Sequence, residues 1–330
     1  MSAVAVAESP SRIHSRSSIQ RSRRWALITS YFFLILFAIF FLVPPYYQLA
    51  TATKTSEQIS NQNTNPWLPA LSAGQAGLNP GGANAGKADL STKQKRSWMP
   101  AALSGVLANL SQLWNDTDFP IYFRNSAIVT VCVVVITMVI AVPAAFSLGR
   151  MRFWGSGVLA TGVFLTYLVP DSLLFIPLFK IVGGLGLLNS YWGLVLVYPT
   201  LTVPFCTWIM IGYFQSIPKE LDEAALIDGA NHIQMLFKIF IPVALPGLIA
   251  ATIFAFTVSW AEFVYPMAFI YSSDQLVLTA GTITSLVKAD VYQWGMIMTA
   301  ALLAAAPPLV IYAFLMDYYI AGLTAGATKG

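Results

Sequence analysis

The sequence predicts an all-α membrane protein, and three observations carry this prediction. Of the 330 residues, 57% are hydrophobic and only 10% are charged, and the mean hydropathy is +0.67, well beyond the range of soluble domains. Six segments are apolar over the roughly 20 residues that a helix needs to cross a hydrocarbon core of about 30 Å. These segments are continuously apolar, whereas barrel strands alternate over short stretches.

The predicted transmembrane helices also determine the expected orientation of the chain. They comprise residues 25–47, 122–148, 158–179, 191–213, 243–264 and 294–315. Lys and Arg concentrate on the cytoplasmic flanks of membrane helices. With the N-terminus inside, the inner flanks hold Arg12, Arg16, Arg21, Arg23, Arg24, Arg150, Arg152, Lys219, Lys238 and Lys329, whereas the close outer flanks hold Lys54, Arg124, Lys180 and Lys288. We therefore expect a multi-pass protein of the cell membrane with both termini in the cytoplasm.

These spans divide the chain into five parts. Residues 1–24 are a cytoplasmic tail, 25–47 the first transmembrane helix, 48–121 an external loop, 122–318 the transmembrane core with a cytoplasmic loop at 214–242, and 319–330 a second cytoplasmic tail. The centre of the external loop is rich in Gly, Ala, Ser, Asn and Pro, and such a composition buries too little apolar surface to offset its ordering entropy. The Arg-rich start resembles a targeting signal, but the first apolar run is longer than a usual signal core.

Catalytic and metal-binding patterns are absent from the sequence, which predicts that the chain is not an enzyme. The run GGANAGKA resembles a P-loop but ends in Ala88, where Ser or Thr would have to hold Mg²⁺. The two histidines form no H-E-x-x-H pair, and no Cys or carboxylate cluster has the spacing of metal ligands. The net charge is +4, but the sequence has no run of basic residues interleaved with aromatic residues. We therefore expect no nucleic-acid partner.

The stretch ELDEAALIDGA, residues 220–230 and here named the acidic segment, gathers acids between the fourth and fifth spans. A helix starting near Pro218 would hold Glu220, Asp222 and Glu223 in its first turns, where the helix dipole favours acids. Gly229 fits the left-handed position that ends such a helix, and the next asparagine can cap a second helix. The sequence therefore predicts a helix, a tight turn and another helix at the cytoplasmic surface.

One face of the predicted acidic helix carries Leu221, Ala224, Ala225 and Asp228 at helical spacing. Small side chains let a helix backbone approach a partner closely, and Glu223 beside this face can pair with a cation on that partner. An acidic, solvated loop between two spans is the alternative interpretation. The spacing of the surrounding residues favours the docking interpretation.

That spacing resembles a family signature. Here E-A-A, three residues, G, nine residues and I-x-hydrophobic-P are Glu223, Ala224, Ala225, Gly229, Ile239, Ile241 and Pro242. The pattern is similar to that of the membrane subunits of bacterial and archaeal ABC importers, although Ile241 stands where leucine is usual. In that family, the helix-turn-helix is a coupling helix that docks into a cleft of the ATPase subunit.

Other stretches resemble the carbohydrate-importer branch of this family, the maltose-type group. They are LVPPYYQLATATKTSEQI, FRNSAIVTV, AFSLGRMRFWG, SWAEF, QWGMIMTA and the tail GLTAGATKG. The tail is typical of one of the two permease types, and the resemblance implies that it reaches the ATPase subunits through Gly322, Thr324, Gly326 and Lys329. The resemblance covers roughly residues 25–60 and 105–330.

The resemblance implies a permease subunit of an ATP-driven importer for a sugar or oligosaccharide. The implied partners are a second permease subunit in a heterodimer, two ABC ATPase subunits that hold ATP and Mg²⁺, and an external solute-binding protein. This chain itself binds no cofactor. Glu223 is expected to pair with a cation, Ala224 and Ala225 to pack closely, and Gly229 to form the turn.

The sequence gives weaker evidence for the solute path than for the docking segment. Intramembrane acids are functional candidates by default, which selects Glu262 and Asp171, and Trp260 could stack on a sugar ring. A structural role for each of these residues is the alternative. A permease for another small polar solute, such as a glycerol phosphate or polyamine, and a stand-alone secondary transporter are the other functions considered.

Overall fold

The part of the chain that the structure describes is almost entirely helical, as the sequence predicts. A computed structural model describes residues 11–54, 58–59, 65–69, 101–151, 153–288 and 291–327; the low-complexity centre of the predicted external loop lies outside these ranges. The α-helices are α1 (Ser11–Ala52), α2 (Ala101–Asn115), α3 (Phe119–Arg150), α4 (Ser156–Tyr167), α5 (Asp171–Gly184), α6 (Tyr191–Ser216), α7 (Glu220–Ile227), α8 (His232–Met235), α9 (Ile241–Val243), α10 (Leu245–Ala261), α11 (Val264–Phe269), α12 (Leu278–Leu286) and α13 (Trp294–Ala327). A π-helix (Leu236–Phe240), a 3-10 turn (Ser273–Gln275) and two antiparallel two-residue strands, β1 (Val287–Lys288) and β2 (Val291–Tyr292), complete the described elements.

Four of the described helices are long and apolar enough to cross a membrane. They are Arg23–Ala52 of α1, the whole of α3, the whole of α6, and Trp294–Met316 of α13. A fifth crossing results if His232–Val243 and Leu245–Ala261, which meet at an angle of 83°, are taken as one bent span. The prediction of a multi-pass helical membrane protein is confirmed at this level.

The third predicted span, residues 158–179, is two helices rather than one. α4 ends at Tyr167 and α5 begins at Asp171, and Pro170 lies between them with an extended ψ of 130°. Proline lacks the N–H that a continuing helix needs, and it disfavours helical backbone in the preceding residue. With 12 and 14 residues, α4 and α5 are each shorter than the roughly 20 residues of a full crossing.

The fifth predicted span, residues 243–264, begins two residues later than expected. The chain bends sharply at Ala244, and α10 follows with Pro246 in its first turn. Pro246 has no N–H to donate back to the preceding turn, so the helical hydrogen-bond ladder is interrupted there. As a result, the segment His232–Val243 before the bend is not collinear with α10.

The centre of the bundle is the long contact between α3 and α6, and α10 packs against both helices. At this contact the buried hydroxyls of Thr137 and Thr202 share a hydrogen bond of 2.6 Å. The described core forms two apolar clusters. One lies around Tyr122, Tyr198 and Tyr265, and the other, which includes Phe146, Phe214 and Phe240, lies beside the acidic segment.

Helix α1 contacts α13 and α2 and leaves most of its apolar side chains exposed. Its C-terminal end is held firmly, because Asn109 of α2 donates from Nδ2 to the carbonyls of Ala52 at 2.8 Å and Lys54 at 2.9 Å. The Lys54 amine donates in turn to the carbonyls of Asn65 and Pro66. Burial of this amine lowers the pKa of Lys54.

The packing of Tyr122 on Gly281 gives a testable prediction about the fold. A Cβ at position 281 would overlap the Tyr122 ring, which is 2% exposed, and overpacking of this kind costs about 1–3 kcal/mol. We expect Gly281→Ala to lower the midpoint of thermal unfolding in detergent. The matched control is Gly212→Ala in α6, where nothing lies within 4 Å of the added carbon; an equal loss in both variants would contradict the packing argument.

Candidate functional site

The acidic segment forms the predicted helix and turn. α7 begins at Glu220 and carries Glu220, Asp222 and Glu223 in its first turn. Acids at this end are stabilised by the partial positive charge of the unpaired backbone N–H groups. Helix α7 is eight residues long, so it depends on contacts with the rest of the chain.

Gly229 ends α7 with a φ of +76°, in the left-handed region. Its N–H donates to the carbonyl of Leu226 at 3.1 Å, and the N–H of Ala230 donates to Ala225 at 2.9 Å. These bonds satisfy carbonyls that the helix end would otherwise leave unpaired. Gly229 therefore has the left-handed backbone conformation that the sequence predicted for the turn.

Helix α8 starts at a complete capping box. The Asn231 side chain accepts from the N–H of Gln234 at 2.8 Å, and the Gln234 side chain accepts from the N–H of Asn231 at 3.0 Å. This reciprocal arrangement satisfies two N–H groups at the helix start. It fixes the direction in which the chain leaves the turn and runs through the π-helix toward α10.

The exposed surface of this region combines acids with large apolar side chains. Glu223, Ala224, Asp228 and Gly229 are exposed. Ile227 is 86%, Ile233 69% and Phe237 62% exposed. A cavity of about 1000 Å³ opens beside them, with Lys219, Glu223, His232 and Trp154 in its lining.

The remaining signature residues lie apart from that surface. Ala225 is only 3% exposed and packs inside the chain with Phe146 and Phe214, because it lies on the face of α7 that turns toward the bundle. The expectation that Ala224 and Ala225 share one face is therefore corrected, and Ala224 alone is accessible. Ile239 is half-buried and Pro242 is exposed near the bend.

Arg150 attaches the acidic segment to the bundle, a function that the sequence analysis missed. It is the last residue of α3, and its guanidinium donates to Asp222 Oδ2 at 2.5 Å, with side chains 5% and 23% exposed. It also donates to the carbonyls of Phe214, Ile217 and Pro218. From the sequence, Arg150 was informative only as a flanking cation, since nothing indicates which distant carbonyls it meets.

The residues predicted to line a solute path make contacts within the chain. Trp260 is buried, donates from Nε1 to the carbonyl of Ala304 at 2.9 Å and stacks on Phe256. The Glu262 carboxylate accepts the N–H groups of Val264 at 2.9 Å and Tyr265 at 3.1 Å, at the start of α11. These contacts favour the structural alternative for both residues.

The third candidate, Asp171, lies exposed at the start of α5. Its backbone carbonyl accepts a hydrogen bond from the Tyr265 hydroxyl at 3.3 Å. Tyr265 thus links Asp171 to Glu262, whereas Trp260 points to α13. In the predicted C-terminal tail, Gly322, Thr324 and Gly326 continue the backbone of α13, and Lys329 lies outside the described residues.

Comparison with known families decides between a transport subunit and an unrelated helical protein. Residues 141–324, more than half of the chain, match the family described as binding-protein-dependent transport system inner membrane component. The chain belongs to this family. The match contains the acidic segment, Arg150 and the whole bundle from the end of α3 to α13.

Relatives in this family align with the chain over most of their own length. The inner membrane ABC transporter permease protein YcjP of Escherichia coli is 34% identical over 68% of this chain and 81% of the relative. The trehalose/maltose transport system permease protein MalG of Thermococcus litoralis is 33% identical over 68% of this chain and 82% of its own. The diacetylchitobiose uptake system permease protein DasC of Streptomyces coelicolor is 32% identical over 71% and 90%.

A solved structure has the same fold. It is a bacterial ABC transporter involved in the import of the acidic polysaccharide alginate, and one of its chains aligns with a TM-score of 0.69 at 21% identity. The alignment covers 91% of this chain and 98% of that chain. The solved structure therefore shares the overall helical arrangement of this chain.

Proposed function

We propose that this chain is the membrane-spanning permease subunit of an ATP-driven ABC importer that carries a sugar or oligosaccharide delivered by an external binding protein. The observation that carries the proposal is the exposed acidic segment at the family signature within a matched transport fold. The chain is not the ATPase. ATP and Mg²⁺ belong to separate partner subunits in this proposal.

The sugar assignment rests on the relatives. Four of these relatives are named as permeases for sulfoquinovosyl glycerol, diacetylchitobiose, trehalose/maltose and maltodextrin. These solutes share a glycosyl unit with many hydroxyls. We infer a cargo of this class for the present chain, delivered to a pathway between two permease subunits.

The acidic segment is the proposed docking site for an ATPase subunit. Glu223 offers a negative charge beside the cavity of about 1000 Å³, and the exposed Ile227, Ile233 and Phe237 offer apolar area around it. An interface with an apolar centre and a paired charge needs a partner surface that is concave, apolar and locally cationic. Ala224, Asp228 and Gly229 complete the contact, and the coupling loop extends over residues 214–242.

The proposed orientation places this docking site, both termini and the tail 319–330 in the cytoplasm, where ATP is available. Residues 48–121 then form the external loop. Six crossings meet this requirement if α4 and α5 together make the third span and α10, with 17 residues, makes the fifth. A full switch between two states, from 1:99 to 99:1, takes about 5.5 kcal/mol of differential binding, so the docking contact must be firm.

The experiment that tests this function is purification of the tagged chain from its native membrane, followed by reconstitution into liposomes. We expect an ABC ATPase and a second permease subunit to co-purify, and uptake to require ATP inside and the binding protein outside. Uptake by the chain alone, driven by an ion gradient, would contradict the proposal and support a secondary transporter.

The cargo is tested separately by titrating the cognate binding protein. Maltose, trehalose and diacetylchitobiose are the probes, with glycerol 3-phosphate and putrescine as the comparison. Binding of a saccharide supports the sugar assignment. Binding of glycerol 3-phosphate or putrescine alone would contradict the sugar assignment but not the assignment to an ABC importer.

A further inference from the structure

We propose that Arg150 is a positioning residue that fixes the acidic segment to helices α3 and α6, so that movement of the docked segment is transmitted to the membrane helices. This inference rests on the proposed function, because it assigns a mechanical task to a contact beside the docking site. Arg150 is not one of the exposed residues of the docking surface, and it lines the cavity beside them.

The guanidinium of Arg150 is held by four acceptors. Nη1 donates to the carbonyls of Phe214 at 3.2 Å and Ile217 at 2.8 Å. Nη2 donates to the carbonyl of Pro218 at 3.1 Å and to Asp222 Oδ2 at 2.5 Å. Only a planar fork with several separate N–H groups can serve acceptors on two nitrogens at once.

These acceptors belong to different elements. Arg150 ends α3, Phe214 and Ile217 lie at the C-terminal end of α6, and Asp222 is in the first turn of α7. The Phe214 carbonyl already accepts the Ile217 N–H at 3.3 Å, and the Pro218 carbonyl accepts the Leu221 N–H at 3.4 Å. A carbonyl oxygen has two lone pairs, so the guanidinium adds a second donor to each and also bonds the Ile217 carbonyl. One side chain therefore joins α3, α6 and the acidic segment.

A fourth element is in contact with the same group. The Arg150 guanidinium carbon lies 4.9 Å from the centroid of the Phe240 ring in the π-helix. Phe240 in turn packs edge-on against Phe146 of α3 at 5.0 Å and Phe214 of α6 at 5.9 Å. The chain on both sides of the Gly229 turn is thus tied to the same point of the bundle.

Burial makes this junction stiff. The Arg150 side chain is 5% exposed, and its pair with Asp222 is the single ion pair among the residues that the structure describes. Charge-assisted hydrogen bonds are shorter and roughly twice as strong as bonds between neutral groups. The acidic segment can therefore be pushed or pulled by a partner without sliding over the end of α3.

Two substitutions distinguish a fork that positions the segment from a simple charge pair. Arg150→Lys keeps the charge but replaces the fork by one nitrogen, which cannot reach all four acceptors. Asp222→Asn removes the pair's negative charge but keeps an acceptor oxygen and leaves the three carbonyl contacts intact. If the fork is what matters, Arg150→Lys must be the more damaging change.

The test uses the complete complex in liposomes and measures three quantities: the amount of assembled complex, ATP hydrolysis, and solute uptake per ATP hydrolysed. For Arg150→Lys we expect near-normal assembly, ATP hydrolysis within about twofold of wild type, and uptake per ATP lowered about tenfold, the factor that 1.4 kcal/mol represents. For Asp222→Asn we expect uptake per ATP lowered less than about threefold. Phe240→Leu, which keeps apolar volume but removes the ring, should fall between them.

The outcomes separate this inference from the proposed function. The control is Lys180→Gln, which removes an exposed cation from α5 and should change none of the three quantities. Loss of assembled complex in Arg150→Lys with normal uptake per ATP in the remainder would overturn the positioning role in favour of a purely structural one. A greater loss in Asp222→Asn than in Arg150→Lys would also overturn it. Absence of an ATPase from the wild-type complex would overturn the proposed function instead.

Discussion

Glu223→Lys is expected to abolish solute uptake while leaving the chain in the membrane. Glu223 is exposed on α7 and lies beside the cavity at the acidic segment, so its replacement disturbs no core contact. Removing one partner of a charge pair that becomes buried in an interface costs about 2–5 kcal/mol, a factor of roughly 30 or more in affinity. Reversal of the charge adds repulsion from the partner's cation. The measurement is ATP-dependent uptake, with chain abundance in the membrane determined in parallel.

Glu220→Lys is the matched control for this charge reversal. Glu220 lies in the same first turn of α7, is also exposed, and is likewise placed where the helix dipole favours an acid. We expect it to retain most of the uptake, because it lies outside the signature. Equal losses in both variants would assign the effect to the overall charge of the segment, and normal uptake in Glu223→Lys would refute the proposed pair.

Gly229→Asp is expected to stop uptake for a different reason. A side chain at a φ of +76° is strained, by about 1–2 kcal/mol for most residues and less for aspartate. The turn bonds from Gly229 to Leu226 and from Ala230 to Ala225 depend on this conformation. The variant also places a carboxylate on the exposed tip of the acidic segment, where the partner must approach. We expect ATPase co-purification to fall together with uptake.

Gly186→Asp separates backbone strain from interference with docking. Gly186 has a φ of +69° and nothing within 4 Å of an added Cβ, as is true of Gly229. It precedes α6, whereas the acidic segment follows α6. The control should therefore carry similar strain and retain uptake. If Gly186→Asp also abolished uptake, the loss at position 229 would not report on docking.

The contacts of the acidic segment divide into a local part and a distant part. Its helix start, the Gly229 turn and the Asn231 cap depend on interactions between residues a few positions apart, so the sequence predicted them correctly. The burial of Ala225 was not predictable, because residue spacing alone does not tell which side of a short helix faces the bundle. The contacts of Arg150 were missed for the same reason, since their partners are 64 to 72 positions away.

The membrane spans show a similar division. Continuous apolar runs determined α1, α3, α6 and α13, because the thickness of the hydrocarbon core imposes a length that composition reveals. The break at Pro170 and the 83° bend at Ala244 were not predicted, although prolines mark both places. A proline permits a break, but the packing of neighbouring helices decides whether the chain uses it.

The sequence by itself determined the membrane environment, the helical class, the local form of the acidic segment and the family resemblance, since each depends on composition or short-range spacing. Only the tertiary structure decided that Ala225 is buried, that Glu262 and Trp260 are engaged by their own chain, and that Arg150 joins three helices. The physical reason is that hydrogen bonds and burial depend on groups brought together by packing. Those groups are far apart along the chain, so no local sequence pattern predicts their contact.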